Sequence, residues 1–531
     1  MKLKMNLLPL LAFLLFSLDK VQGQPFQIAV HPKTGMQLPA IQSFAWGNFG
    51  DYVFLFGGRT DGLHRRQPVF SFAASGNNTQ VYLIHNRTFE VKSFPLSLLP
   101  VGIQEQLQST NMQFSQQGKY LVLTGGYAYS ATQANHITFP NLTVVDLEVL
   151  FTAFQQNANY GQAFRQITDQ RMAVTGGHMV TMGERFFLAG GNRFDGRYNP
   201  MGGASYVQKY TNSIRSFNLN LADTQLTILD FQEWTDSLNL HRRDYNLTPF
   251  RAANGHTKFH IWSGVFQYGV DLPWLNVVEF DEDSFQVIPN FNQYLNQYHT
   301  ANAVLYDSAT QTNFTLFFGG IGQYQYQNGT LVRNDSVPFV RTISCVERKS
   351  NGVMAEFELP VQMPGYQGAS AEFIPATDLQ GDEHSVFVLP PSIKDSILLG
   401  TIYGGISSTA PNIFFTNTGT QSSALGTWTD VWLKPGKATA IPVKEMSRVE
   451  LDVFPNPFCQ FLQVRVPEAF KNDYSFSLLT MHGKKLELPP IKQDGNSFQF
   501  DFSQVNIQGV LFLEISSPKG KSLIKLIHNC N

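Results

Sequence analysis

The sequence predicts an all-β protein built from repeats, closed by a small β unit at its C-terminal end. Three observations predict it. First, a short apolar run that stops on two glycines recurs along the chain, at residues 52–58, 120–126, 185–191, 314–320 and 397–405. These runs close on Gly57-Gly58, Gly125-Gly126, Gly190-Gly191, Gly319-Gly320 and Gly404-Gly405, and a degraded sixth copy at 259–264 closes on Ser263-Gly264. Second, the first positions of these pairs stand 56 to 85 residues apart, the signature of a repeat whose single units cannot bury themselves. Third, the 531 residues include 45 phenylalanines and 19 tyrosines, side chains that suit a pleated, half-buried surface. An apolar run of this length bounded by a turn signal reads as a strand buried on both faces. The glycines let the chain turn with positive φ and let another backbone approach.

The elements follow in order. Lys2 and Lys4 precede an apolar run over 7–18, and Val21, Gln22 and Gly23 lead to an expected cut ahead of Gln24. That is the plan of a secretory signal peptide over 1–23. The run is too short to span a bilayer, and no later stretch is long and apolar enough, so no transmembrane segment is expected. Residues 27–31 are placed to close the ring of repeats by pairing into the last one. Each repeat opens with a lead strand, as at 42–46, 178–182 and 301–306, turns on polar residues, and runs into the glycine-ended strand. A hairpin follows: 80–85 with 89–94, 142–146 with 149–154, 214–219 with 226–231, and 276–281 with 285–289. Asp146, Asn218 and Asp281 stand at the expected hairpin turns, where short polar side chains fit. An extra apolar run at 384–389 does not fit the four-strand plan, and the pairs Gly176-Gly177 and Gly202-Gly203, which follow no buried run, read as turn glycines.

Four strands per repeat, with a glycine pair closing the second, resemble the kelch repeat over residues 24–435. The resemblance implies a six-bladed kelch-like β-propeller with the first strand of each blade nearest the axis. Kelch repeats run about 50 residues, so these longer ones are expected to carry insertions. A polar, proline-flanked stretch over 436–449 is the expected linker. Residues 450–531 then alternate short strands with glycine and proline turns, which suggests a small immunoglobulin-like β-sandwich. The opening at Pro455, Asn456 and Pro457, the turn at Gly483, the turn at Gly509 and the basic last strand resemble the type A C-terminal sorting domain of the type IX secretion system of Bacteroidetes. The resemblance implies a partner, the type IX machinery, and an address outside the outer membrane of a Gram-negative bacterium, secreted or held at the cell surface.

Chemistry is less legible. Charged residues are 15% of the chain and the formal charge is -2, so no global field argues for nucleic acid. Three cysteines, Cys345, Cys459 and Cys530, exclude a disulfide scaffold and a thiolate cluster; Cys459 and Cys530 could pair or stay free. No metal-ligand spacing, nucleophile elbow or phosphate loop is present, so no metal and no cofactor are expected. A copper oxidase on a kelch-like propeller would need a cysteine linked to a tyrosine, and Cys345 falls in a predicted outer strand.

The loops after the glycine pairs and the chain entering each lead strand converge on one end of such a fold, and there the candidates cluster. They are Arg59, His64, Arg65 and Arg66; Arg193, Asp195, Arg197 and Tyr198; His241, Arg242, Arg243, Asp244 and Tyr245; and Tyr268, with His299, Gln323 and Tyr324 beside them. Arginine forks pair with carboxylates or sulfates, and aromatic faces stack on sugars. The competing reading is that an arginine braces the neighbouring blade. The expected function is binding rather than catalysis, of a glycan or a protein with acidic groups. The alternative is a carbohydrate-active propeller enzyme resembling a sialic-acid mutarotase, with acid–base groups from His64, Asp195, His241 and Asp244. Four triplets, at Ser237, Ser308, Ser336 and Ser396, resemble the O-glycosylation motif of Bacteroidetes.

Overall fold

The computed structural model describes residues 25–65, 71–199, 205–379, 384–436, 441–442, 452–466, 475–480, 485–486, 490, 492–494, 497–503, 509–517 and 520–529. The expected signal peptide, Arg66, Gly202-Gly203, Gly483, Cys530 and most of the expected linker lie outside them.

Six antiparallel sheets follow one another along the described chain. Sheet one is Ala45–Phe49, Tyr52–Phe56, Gln80–His85 and Val91–Pro95. Sheet two is Thr110–Gln117, Tyr120–Ser130, Asn141–Asp146 and Phe164–Thr168. Sheet three is His178–Met182, Arg185–Ala189, Ser213–Leu219 and Ile228–Thr235. Sheet four is Asn246–Arg251, Thr257–Trp262, Val278–Phe280 and Phe285–Val287. Sheet five is Asn302–Asp307, Thr312–Ile321, Phe339–Arg348 and Met354–Gln362. Sheet six is Ala371–Pro375, Ile397–Gly404 and Trp428–Lys434, completed by Gln27–Pro32 from the start of the chain.

The glycine-ended strand is the second of each sheet, and alternation splits its side chains between two neighbours. In sheet one, Phe54 and Phe56 pack with Leu121, Leu123 and Val145 of sheet two, while Val53 and Leu55 pack with Ile374, Tyr403 and Trp428 of sheet six. Corresponding clusters lie between sheets two and three, three and four, four and five, and five and six.

Main-chain bonds fix the same ring. One residue ahead of, or at the start of, each innermost strand donates its N–H to the carbonyl of its counterpart in an adjacent sheet. Asn111 donates to Ser43, Gly176 to Asn111, Asp244 to Gly176, His299 to Asp244, Ser370 to His299, and Ser43 back to Ser370, at 2.8 to 3.4 Å. Six sheets are thereby tied into a closed circle at their inner edge. Both residues of every terminal pair take positive φ, from Gly57 (63°) and Gly58 (82°) to Gly404 (67°) and Gly405 (88°), and Ser263 (56°) does so without being glycine.

Two expectations need correction. Residues 149–154 are not a strand: Leu147–Gln156 is an α-helix, and the fourth strand of sheet two comes later, at Phe164–Thr168. Asp146 does not turn a hairpin; its carboxylate accepts from Val149 N at 3.1 Å and caps the helix. Leu147, Leu150, Ala153 and Phe154 recur at helical spacing and form its buried face. The lead strand of sheet one also starts later than residue 42, at Ala45. The unplaced run at 384–389 contributes Val386–Val388, which pairs in parallel with Asn302–Asp307 of sheet five.

The C-terminal part forms two four-stranded sheets. Leu462, Val464, Phe498 and Phe500 of one share a core with Leu478, Leu511, Leu513 and Leu526 of the other, and Phe458 joins it from the opening segment. Its opening is pinned to the last strand: Asn456 Oδ1 accepts from Ile527 N at 2.8 Å, and Phe458 N donates to Ile527 O at 2.9 Å. Cys459 is disulfide-bonded, whereas Cys345 is a free, buried thiol.

Candidate functional site

All six residues of the main-chain circle line a cavity of about 190 Å3, and all but Ser370 also line a second of about 180 Å3. The larger lies at the glycine-pair end. Its floor is Ser43, Asn111, Gly176, Asp244, His299 and Ser370, and its walls come from residues just after the glycine pairs, including Tyr127, Phe194, Phe266, Ile321 and Ile406. The walls are mainly aromatic, and the floor presents polar groups, the composition of a small-molecule site.

Arg243 and Arg59 are the arginines that line this cavity, and Arg243 is the one with a donor edge to spare. Its Nη1 donates to Asp244 Oδ2, its Nε donates to Tyr210 Oη at 3.3 Å, and the guanidinium lies over the rings of Phe194 and Phe266, 5.7 and 5.2 Å from their centroids. Burial works against its charge, but the Asp244 carboxylate, then Tyr210 and Tyr198, outweigh it, so its pKa lies above the usual arginine value. Among the described residues no acceptor meets Nη2, which leaves two N–H donors on a fixed, permanently charged group. Tyr298 Oη likewise has no hydrogen-bond partner among the described residues, and Thr110 Oγ1 is buried at the cavity without one.

Under the floor sits a titratable cluster. His299 Nε2 meets Glu372 Oε1 at 3.1 Å. Burial pulls the His299 pKa down, but the hydrogen bond and charge of Glu372, with Asp244, push it above the usual value. The His178 ring lies 5.1 Å from that of His299 and is held neutral, its pKa lowered to about 3 by burial and then by His299. His178 Nε2 donates to Tyr245 O at 2.8 Å.

The other candidates separate. Arg59 lines the cavity but its guanidinium is engaged: Nε and Nη2 clasp Asp61 at 2.7 and 2.6 Å, Nη1 donates to Asn77 Oδ1 at 2.9 Å, and Nη2 also reaches Ala73 O at 3.1 Å. His64 lines the cavity between Phe72 and Tyr198, 5.1 Å from each. The Arg65 guanidinium lies against Gly419. Arg193 is paired with Asp195 at 2.8 Å on the strand whose Asn192 and Phe194 line the cavity, but neither member of the pair lines it, and Arg197 Nε donates to Ser71 O at 2.9 Å. Arg242, next to Arg243, is 1% exposed and not on the cavity. It donates to Asn239 O, Ser263 O, Asn276 O and Asn276 Oδ1 at 2.7 to 2.9 Å, and burial lowers its pKa to about 9. Tyr245 is fully buried, with its hydroxyl on Ala189 O at 2.5 Å. His241 is sandwiched between Tyr210 and Tyr268. Gln323 donates to Asp335 at 2.8 Å, and Tyr324 packs on Tyr294; neither lines the cavity.

Residues 452–529 match the family described as the secretion system C-terminal sorting domain. The chain is therefore exported through the type IX secretion system to the cell surface or the medium, and no described helix is long and apolar enough to cross a membrane. No curated protein matches the chain. Among solved structures it is similar to a fungal alcohol oxidase of the AA5 family in complex with copper, with 11% identity and a TM-score of 0.36, over 94% of this chain and 99% of that one. It is also similar to the structure of YjhT, with 13% identity and a TM-score of 0.42, over 77% of this chain and 99% of that one. Likeness at this level carries no inference about chemistry.

Proposed function

We propose that residues 24–435 are a six-bladed kelch-like β-propeller, that residues 450–531 are an immunoglobulin-like sorting domain, and that the exported protein is a binding module whose axial cavity takes the acidic group of a glycan. The observation that supports this reading is Arg243. It is positioned by Asp244 and Tyr210, framed by aromatic walls, and keeps the two donors of Nη2 for a ligand. A carboxylate is the acceptor that a guanidinium edge fits best, and a cavity of about 190 Å3 suits one sugar residue rather than a protein loop.

The test is a glycan array probed with the processed protein, followed by titration calorimetry with Arg243→Lys. Lysine keeps a charge beside Asp244 but has no second donor edge. Binding of acidic glycans that weakens with salt and drops at least about 100-fold in the variant supports the reading, since charge-assisted bonds at this depth carry about 3 kcal/mol. Undiminished binding by Arg243→Lys overturns it.

One observation favours an enzyme, the alternative of the mutarotase type. His299 belongs to the floor, with Glu372 bonded to it from beneath, so a proton could pass to or from a bound sugar. Accelerated anomer exchange that disappears in His299→Gln would favour that reading over pure binding.

A further inference from the structure

We propose that the exposed ring of Tyr268 is a second, sugar-stacking subsite, so that the ligand is an oligosaccharide with an acidic terminal residue rather than a free monosaccharide. This rests on the reading of the axial cavity given above. Tyr268 is the outermost of three rings stacked face to face. Tyr210 lies on His241 with centroids 3.7 Å apart, and His241 on Tyr268 at 3.9 Å, with planes within 24° and 27° of parallel.

The inner end of this ladder lies behind the cavity wall and contacts it through two lining residues. Tyr210 Oη accepts from Arg243 Nε at 3.3 Å and from Phe266 N at 3.0 Å, and both residues line the cavity. The middle ring is fixed as well. His241 Nδ1 meets Asn212 Oδ1 at 2.9 Å, and its carbonyl accepts from Trp274 Nε1 at 2.9 Å. The outer end is open: Tyr268 is 53% exposed although one face lies on His241, and its hydroxyl has no partner among the described residues. A ring held on one face and open on the other presents its electron-rich π surface to the C–H face of a pyranose. It loses little freedom on binding because the ladder already holds it. Two stacking steps separate it from the ring whose hydroxyl holds Arg243. A glycan with its acid on Arg243 would therefore run its next residues out along these rings.

Titration of the processed protein and of Tyr268→Ala with two probe pairs tests this: glucuronic acid against a hyaluronan tetrasaccharide ending in glucuronic acid, and N-acetylneuraminic acid against sialyllactose. The expected result, in at least one pair, is that the wild type prefers the longer probe. Tyr268→Ala should then lose about ten-fold on that probe and nothing on its monosaccharide, with Tyr268→Trp restoring it. Unchanged oligosaccharide affinity in Tyr268→Ala overturns the subsite while leaving the cavity reading intact. Equal losses on both members of a pair also overturn it, since they would report a displaced Arg243. A wild type that binds none of the four probes removes the cavity reading, and this one with it.

Discussion

At five junctions between neighbouring sheets the glycine pair adds a second main-chain bond to the circle, and at the one between sheets four and five a side chain adds the link instead. At the five, the N–H of the second glycine donates to a carbonyl leading into an adjacent sheet: Gly58 to Ser109, Gly126 to Val174, Gly191 to Arg242, Gly320 to Gln367 and Gly405 to Ile41, all at 2.7 to 2.9 Å. A Cβ on the first glycine would stand 2.5 Å from that same carbonyl oxygen at Gly57 and Gly404, and at Gly125 it would overlap Val174 O. The pair is therefore there for close approach as much as for the turn. At Ser263-Gly264 a side chain does this work. Asn246 Nδ2 donates to Gln297 O at 2.7 Å, and its Oδ1 accepts from Thr300 N at 2.8 Å. The glycine pair is thus dispensable only where another group supplies the bond, and the departure from the repeat lies beside the segment that carries Arg242, Arg243 and Asp244.

The comparison can be broken most forcefully at Gly125. Gly125→Ala sets a methyl group against Val174 O at a φ of 67°, and we expect a loss of about 4 kcal/mol or failure to accumulate, read by thermal melting. Ser263→Gly, at the equivalent position, should change stability by less than about 1 kcal/mol, because the backbone already holds this conformation. Similar losses at the two sites would mean that the junctions do not differ.

Arg242→Ala should come next. It strips donors from three main-chain carbonyls, that of Ser263 fully buried, and from the Asn276 side chain, for about 3 kcal/mol. Arg243→Lys should melt within a few degrees of the wild type while losing ligand. Equal melting losses would make both arginines braces. Asn246→Ala should cost about 2 kcal/mol, since both partners of its amide stay buried.

A pH dependence is expected in the same lead-in to sheet five. Glu356 is buried and accepts from Tyr294 N at 2.8 Å and Leu295 N at 3.1 Å; burial, opposed by these two bonds, pushes its pKa up to about 8. The folded protein therefore holds a proton that the unfolded chain releases near pH 4.5, and this contribution to stability declines as pH rises from about 4.5 to 8. Glu356→Gln keeps the accepting oxygen and should flatten that slope, with its melting point gaining on the wild type between pH 5.5 and 8.5. Parallel melting curves across that range would count against a buried neutral carboxyl.

The repeat was legible because its signal is local. Each run-and-glycine pair appears in sequence as it does in space, and the opening strand Gln27–Pro32 was recognisable as a partner for the last sheet. The helix Leu147–Gln156 was hidden because its apolar residues also suit a short strand, and only Asp146 and the spacing of Leu147, Leu150 and Phe154 mark it. The site was legible by segment but not by residue. Arg242 and Arg243 are identical in type and adjacent in sequence, and successive side chains on an extended segment point opposite ways, so one enters the packing and its neighbour meets the cavity. Tyr198 was named from the sequence and lines the cavity, whereas Tyr298, Tyr127, Phe194, Phe266, Ile321 and Ile406 escaped notice, although Tyr127, Ile321 and Ile406 directly follow their glycine pairs, a position that could have been read.

The account turns on Arg243 as the ligand's anchor, and a crystal structure of the processed protein with a bound acidic oligosaccharide tests it most directly. The expected result is a carboxylate within about 3 Å of Arg243 Nη2, inside the axial cavity and above the ring of main-chain bonds. A ligand bound elsewhere on the surface, with the cavity holding only solvent, would contradict it.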